Sequence, residues 1–330
     1  MNLDRQLTEI RDLIQQDISN RGLGRHPQAN LLTACPNDFA LACHHLAEAP
    51  DPVVAIVTGF TIPSAEPPWA ETDGPPGALF LARALVPLGM RLFLAIDPPY
   101  VSVLDKGLRA VGLSREVPIW PLPGDREASA WQSAPCLPTH LIALERAGPG
   151  HTEDSIRKQY PDDPETVERF LRMVSREDRG HCRSMGGRDI TEWTQPAHVL
   201  FEERTGPVPL TIGIGDGGNE IGMGKIPWQV IHSNIVNGGR IACRVATDHL
   251  LVAGVSNWGA YALAVGVALV RGLPLDLALF DLDRERQLLR LLVEQGPLVD
   301  GFTGKPTVQV DGLPFEEYAR PLDILGKLAR

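Results

Sequence analysis

The stretch TIGIGDGGNEIGMGK, Thr211 to Lys225, decides how this chain is read: an apolar, β-branched run stops abruptly in six glycines that enclose Asp216, Asn219 and Glu220. Glycine sacrifices conformational entropy on folding but permits positive φ and close approach of a ligand, so a strand opening into this loop looks like a floor for a small molecule or an ion. Its acidic side chains point to a cation. Gly213, Gly215 and Gly218 satisfy G-x-G-x-x-G, the dinucleotide pattern. Asp216 and Glu220 would set negative charge beside a pyrophosphate, however, and no acidic residue follows at the distance a ribose hydroxyl requires, so no nucleotide is expected. A Walker A loop fails too, because Ile226 follows Lys225 where a magnesium-binding Ser or Thr belongs. The plainer alternative is a structural glycine-rich turn.

Outward from this loop, the same pattern recurs. VVAIVTGF (Val53–Phe60), RLFLAIDPP (Arg91–Pro99), VPIWPLP (Val117–Pro123) and HLIALERAG (His140–Gly148) are further apolar runs that end in glycine, proline or charge. Helical patterns such as GALFLARALVPLG lie between them, and that alternation predicts an α/β fold: a mainly parallel, Rossmann-like layered sheet with helices on both faces. Ligands of such sheets collect outside the carboxyl ends of the strands, where Thr58, Asp97, Glu145, Arg146 and Asp216 could converge. The segment RIACRVATDHLLVAGVSNWGAYALAVGVALV reads as two strand-like runs followed by a buried helix after Trp258. The expected organisation is an N-terminal helical segment (1–50), a first α/β half (51–150), a charged insertion that could cover the site (151–204) and a second α/β half carrying the acidic loop (205–330).

Composition narrows the function. A net charge of −10 with no basic block argues against a nucleic-acid partner and favours a cationic cofactor. Five cysteines without a C-x-x-C pair signal neither a disulfide framework nor a zinc site, so a cytoplasmic setting is the default expectation. The start, with Leu3, Leu7, Ile10, Leu13, Ile14 and Ile18 at helical spacing, is an amphipathic helix and not a secretory signal. No apolar run approaches the roughly 20 residues of a membrane span. The sequence leaves a homo-oligomer open.

Taken together, VTGF (Val57–Phe60), ETDGPPGA (Glu71–Ala78), ERAG (Glu145–Gly148), GIGDGGNEIGMGK (Gly213–Lys225), GVSNWGAYALA (Gly254–Ala264) and VDGLPF (Val310–Phe315) resemble the D-glutamate cyclases, formerly a domain family of unknown function, in the family's order. The likeness runs over nearly the whole chain from about Val53. It implies cyclisation of D-glutamate to 5-oxo-D-proline with loss of water, and it singles out Asp73 and Gly74 in an otherwise ordinary turn as substrate-binding candidates. The chain departs from the family's pattern at Arg179–Met185, where the family tends to carry Asp-Gly and tyrosines.

Ring closure requires the neutral α-amine to attack the γ-carboxyl carbon, a poor electrophile while its group is an anion. The reaction needs something to polarise that carboxylate, something to accept the ammonium proton and something to protonate the departing oxygen. A divalent cation held by hard oxygen ligands, Mn2+ or Mg2+, supplies the first, and Asp216, Asn219 and Glu220 are the candidate ligands. Salt bridges are the alternative role for the two acids. Glu145 is the candidate for proton transfer or further ligation, and Arg146 for clamping a substrate carboxylate. A Glu-Arg pair closing a strand also serves as a structural ion pair. Asp248, between apolar runs, would need compensation if buried, which favours ligand or base. Asn257 could give an amide hydrogen bond, and Trp258 an apolar wall or ordinary core. Two other functions use the same parts: metal-dependent phosphoester hydrolysis, and non-catalytic binding of an acidic amino acid.

Overall fold

A computed structural model describes residues 2–124, 131–202 and 208–329. The boundary expected between 204 and 205 lies outside the described residues.

Six strands, β1 (Val53–Thr58), β2 (Arg91–Ile96), β3 (Ile119–Pro121), β4 (His140–Leu144), β5 (Leu210–Gly215) and β6 (His249–Val252), form one sheet in the order β3-β2-β1-β4-β5-β6. All five pairings are parallel. The expected α/β sheet is therefore present, in the doubly wound order. The strands read as continuous apolar runs because both faces are covered. Val54, Ile56, Leu94, Ile142, Leu144, Ile212 and Ile214 enter one core, while Val53, Ala55, Val57, Phe93, Ala95, Leu141 and Ala143 enter the other. Each fully buried Val, Ile or Leu side chain contributes roughly 1.5–3 kcal/mol.

The first core is closed by α1 (Leu3–Ile14), α2 (Asp38–Glu48), α3 (Pro75–Leu85), α4 (Val101–Ala110) and the later helices of the chain. The second takes Ile156 from α5 (Glu153–Gln159), Val167 and Phe170 from α6 (Pro164–Met173), and Trp228 and Ile231 from α7 (Trp228–Asn234). The charged stretch after residue 151 thus supplies part of the second helical layer, with Ile156, Val167 and Phe170 buried and Glu153, Asp154, Arg157, Glu165, Glu168 and Arg169 exposed. Back on the first face, α8 (Ser256–Arg271) packs on α1, α2 and α3, and α9 (Leu282–Gln295) and α10 (Arg320–Leu328) complete the layer. Among the described residues no helix is long and apolar enough to cross a membrane.

One local expectation changes. Of the two strand-like runs after Arg240, only His249–Val252 becomes a strand. The earlier one spends its backbone N–H groups elsewhere: Cys243 donates to the Gly218 carbonyl (2.9 Å) and Arg244 to that of Pro149 (3.0 Å). It buttresses the glycine loop instead of extending the sheet. The helix also begins at Ser256, before Trp258.

The strand order fixes where a ligand can sit. From β1 the chain works outward through β2 and β3, then returns to the other side of β1 with β4, β5 and β6. The connections leave the β1 and β4 tips in opposite directions, and it is at the carboxyl ends of such a switch point that doubly wound sheets bind ligands.

Candidate active site

At the β4 tip the backbone turns sharply. Glu145 adopts φ +44°, sparsely populated for a residue with a Cβ, and its side chain meets Ser256, whose hydroxyl donates to Oε2 at 2.6 Å. The neighbouring element approaches closely because Gly74, at φ +99°, has no Cβ: one there would stand 2.6 Å from Thr58 Oγ1 and 3.1 Å from Glu145 Cβ. Gly74 precedes α3, and Asp73 just before it accepts the backbone N–H groups of Ser256 and Asn257, both at 2.8 Å, and of Gly74 at 3.0 Å. The first N–H groups of α8 thus point at a carboxylate, where the helix dipole favours negative charge. Asp216 follows β5 directly. One oxygen from each of Asp73, Glu145 and Asp216 lies within 4.8 Å of the others, and all three residues are buried.

Three more carboxylates crowd this trio. Glu220 folds back on its own loop, accepting the N–H of Asp216 (3.2 Å) and of Gly218 (2.8 Å). Asp311, at φ +56° in the turn between Gln309–Val310 and Leu313–Pro314, reaches the cluster from the C-terminal region. Glu71, buried on the approach to α3, completes it. The counter-charge is Arg21, whose guanidinium bonds Asp216 Oδ1 through one nitrogen and lies 2.8 Å from Asp311 Oδ2 through another.

Burial and mutual repulsion shift these groups together. Glu71, Asp73 and Glu145 are held well above the usual carboxylate range, first by burial and then by the negative charge of their neighbours. Burial raises Asp216 to about 6 and Asp311 to about 7, the Arg21 charge pulling both back down. Glu220 is raised by burial, against the backbone N–H groups it accepts. Burial opposes the charge on Arg21, but Asp216 and Asp311 outweigh it and hold the guanidinium firmly ionised.

The donors present fit a hard divalent cation. Two oxygens on one such ion, each at roughly 2.0–2.6 Å, stand no more than about 5 Å apart, which the trio satisfies. Asp216 Oδ2 and Asn219 Oδ1 are buried and make no hydrogen bond to the protein. An orphaned buried oxygen is costly unless something electropositive meets it.

Each residue singled out from sequence has a definite place. Of Asp216, Asn219 and Glu220, only Asp216 joins the trio; Glu220 is engaged with the loop backbone, and Asn219 ties the loop to the Arg183 carbonyl at 2.8 Å through Nδ2. Glu145, Asp73 and Gly74 are all at the site. Arg146 is elsewhere. It is completely buried and grips Asp97 with both terminal nitrogens while also donating to the carbonyls of Gly59 (3.1 Å) and Gln195 (2.7 Å). Asp248 lies at the amino end of β6, where Oδ2 accepts the N–H and the hydroxyl of Thr211, both at 2.8 Å. That is the far end of the sheet from the trio. Asn257 spends its amide on backbone, accepting from Gly74 (3.0 Å) and Gly77 (2.8 Å) and donating to Thr72 (3.1 Å). Trp258 is core, with its indole N–H on the Tyr318 carbonyl at 2.8 Å.

A family model described as D-glutamate cyclase-like, C-terminal, matches residues 10–159 and 167–325. The chain belongs to the D-glutamate cyclase-like family. The human protein named "D-glutamate cyclase, mitochondrial" is 28% identical over 347 residues, which takes in 96% of this chain and 50% of the relative. The chain therefore spans about half the length of that relative. Within this D-glutamate cyclase-like protein the place that departs from the family's pattern lies against the site: the Arg183 carbonyl holds Asn219, and Met185 Sδ would sit 2.7 Å from a Cβ on Gly217.

Sequence reasoning missed Arg21, Glu71 and Asp311. Glu71 and Asp311 did carry a signal, since both stand in the segments shared with the family, E-T-D-G-P-P-G and V-D-G-L-P-F. Arg21 carried none: it follows an amphipathic helix in a polar stretch that nothing marks as part of a site.

Proposed function

We propose that this protein converts D-glutamate into 5-oxo-D-proline, releasing water. The observation that carries this is the buried Asp73, Glu145 and Asp216 trio at the strand tips, built from segments that the family shares. In the reaction the α-nitrogen forms a bond to the carbon of the γ-carboxyl group, and one oxygen of that group leaves. Both protons lost by the ammonium end on that oxygen, so the site must take protons at one place and give them at another.

The raised carboxyls supply that exchange. Glu145, held well above the ordinary carboxylate range by burial and its acidic neighbours and hydrogen-bonded to Ser256, is the group that donates a proton to the departing oxygen. Asp216, near 6 and beside Arg21, is ionised and accepts the ammonium proton. Burial keeps competing water from the reacting carbon, and holding both ends of one molecule in ring-closing geometry supplies proximity. A divalent cation, when bound, would be held by the ionised forms of Asp73, Glu145 and Asp216 and would neutralise and polarise the γ-carboxylate in place of the Glu145 proton.

The test is direct. Incubation with D-glutamate should yield 5-oxoproline by chromatography, with L-glutamate as comparison, and Mn2+ or Mg2+ should restore turnover after chelation. No product from D-glutamate with either metal present would refute the reading.

A further inference from the structure

We infer that Arg21 is the anchor for the substrate's α-carboxylate, the residue that makes this site select an amino acid over a simple amine; the inference rests on the reaction proposed above. A dicarboxylate entering beside Asp216 and Asp311 meets like charge, and the end that does not face the proton donors needs a cation. The γ-carboxylate must lie against the proton donors that take its oxygen. The α-carboxylate needs a cation of its own.

Among the described residues, Arg146, Arg183 and Lys225 are committed to other partners. Arg146 is locked on Asp97 and two carbonyls with no exposed surface, and Arg183 is bound to Asp178 and the Gly187 carbonyl. Lys225 pairs with Asp38 and the Asp248 carbonyl at the opposite end. Arg21 differs in two ways. A guanidinium offers five N–H donors, and Asp216 and Asp311 take one nitrogen each, so donors remain. Its side chain is 17% exposed against 2% for Asp216 and 5% for Asp311, so it is the more accessible member of each pair.

The backbone that carries Arg21 is pre-set for this. Asp17 accepts the N–H of Arg21 at 2.8 Å and of Gly22 at 2.9 Å, closing a turn in which Asn20 has φ +51° and Gly22 φ +99°. Gly22 packs so tightly on the Asn234 carbonyl that a Cβ there would collide with it. An arginine already fixed in position loses little entropy when it captures a carboxylate.

The experiment compares D-glutamate with 4-aminobutyrate, which has the same chain, amine and γ-carboxylate but no α-carboxylate. Wild type should prefer D-glutamate in kcat/KM, and Arg21→Gln should cut that preference by roughly 10–100-fold, mostly through a higher KM, as expected for a lost charged hydrogen bond. Arg21→Lys should recover part of it. An unchanged preference in both variants would overturn the inference, since a merely structural Arg21 would depress both substrates alike. Calorimetry with 5-oxo-D-proline and with 2-pyrrolidone gives the same comparison without turnover, and thermal melts confirm that each variant is folded. Should wild type convert no D-glutamate, the proposed reaction fails and calorimetry alone decides the anchor: weaker 5-oxo-D-proline binding in Arg21→Gln supports it, and equal or absent binding in wild type overturns it.

Discussion

Two arginines meet buried aspartates at the carboxyl end of this sheet, and they differ in what else they touch. Arg146 and Asp97 meet in a bidentate pair, with two backbone carbonyls on the terminal nitrogens of Arg146 and the Gln195 N–H (2.9 Å) on Asp97. Arg21 faces Asp216 and Asp311 with Asp73, Glu145 and Glu71 behind them, one positive charge among too many negative ones. The first arrangement is electrically closed and holds structure together. The second is short of positive charge, and a deficit of that kind suits a site that takes up a cation or protons. Glu145 and Arg146 are adjacent in sequence yet belong one to each arrangement, because the backbone at the β4 tip turns them apart.

The comparison is tested hardest at that junction. Glu145→Gln should lower the chemical step by about 10²–10⁴-fold while changing substrate binding much less, because the amide keeps its shape but cannot exchange a proton. Steady-state kinetics on the folded fraction reads this, and near-normal turnover would remove Glu145 from catalysis. Arg146→Met should instead strike stability, by about 3–5 kcal/mol in denaturant unfolding, since Asp97 is left buried without its partner. A variant with wild-type stability would show that the pair is not the closed structural unit described here.

The charge deficit has its own signature in pH. Asp216 and Asp311 sit at about 6 and about 7 when folded, against roughly 3.9 in an unfolded chain, so the native state binds more protons than the unfolded one. Their contribution is fully present below about pH 4 and is lost as pH rises through 6 and 7. The metal-free protein should therefore lose a few kcal/mol of stability between mildly acidic and neutral pH, and Mn2+ or Mg2+ at neutral pH should return it. Stability that is flat over this range, or untouched by the ions, would contradict the deficit. The smallest effect is expected at Asp248→Asn. Turnover should stay within about twofold of wild type, with roughly 1 kcal/mol of stability lost with the Thr211 bonds. A large drop in kcat would connect the two ends of the sheet in a way the geometry does not.

Much of this fold was legible in the chain. Apolar runs such as Val53–Thr58 and Leu210–Gly215, closing in glycine or acid, predict parallel strands with functional tips, because strands buried on both faces need unbroken hydrophobicity and only their ends can be polar. The Gly213–Lys225 loop announced an acidic strand tip for the same kind of reason, and Asp216 stands there. Partners were less legible. The Glu145-Arg146 dipeptide reads as one ion pair, yet Arg146 reaches Asp97, 49 positions away, and Glu145 reaches Ser256, 111 away.

What the sequence determined by itself was the class of sheet, the acidic loop at its edge and the family to which those segments belong, since periodicity and glycine placement are local properties of the chain. Only the tertiary structure decided which acids share a site. It carried Asp248 to the wrong end of the strands, turned Glu220 back onto its own loop, and brought Asp311 and Arg21 together from opposite ends of the chain. The physical reason is that electrostatic pairing depends on distance through space, and a pattern along the chain does not encode which distant charges the strand order will place side by side.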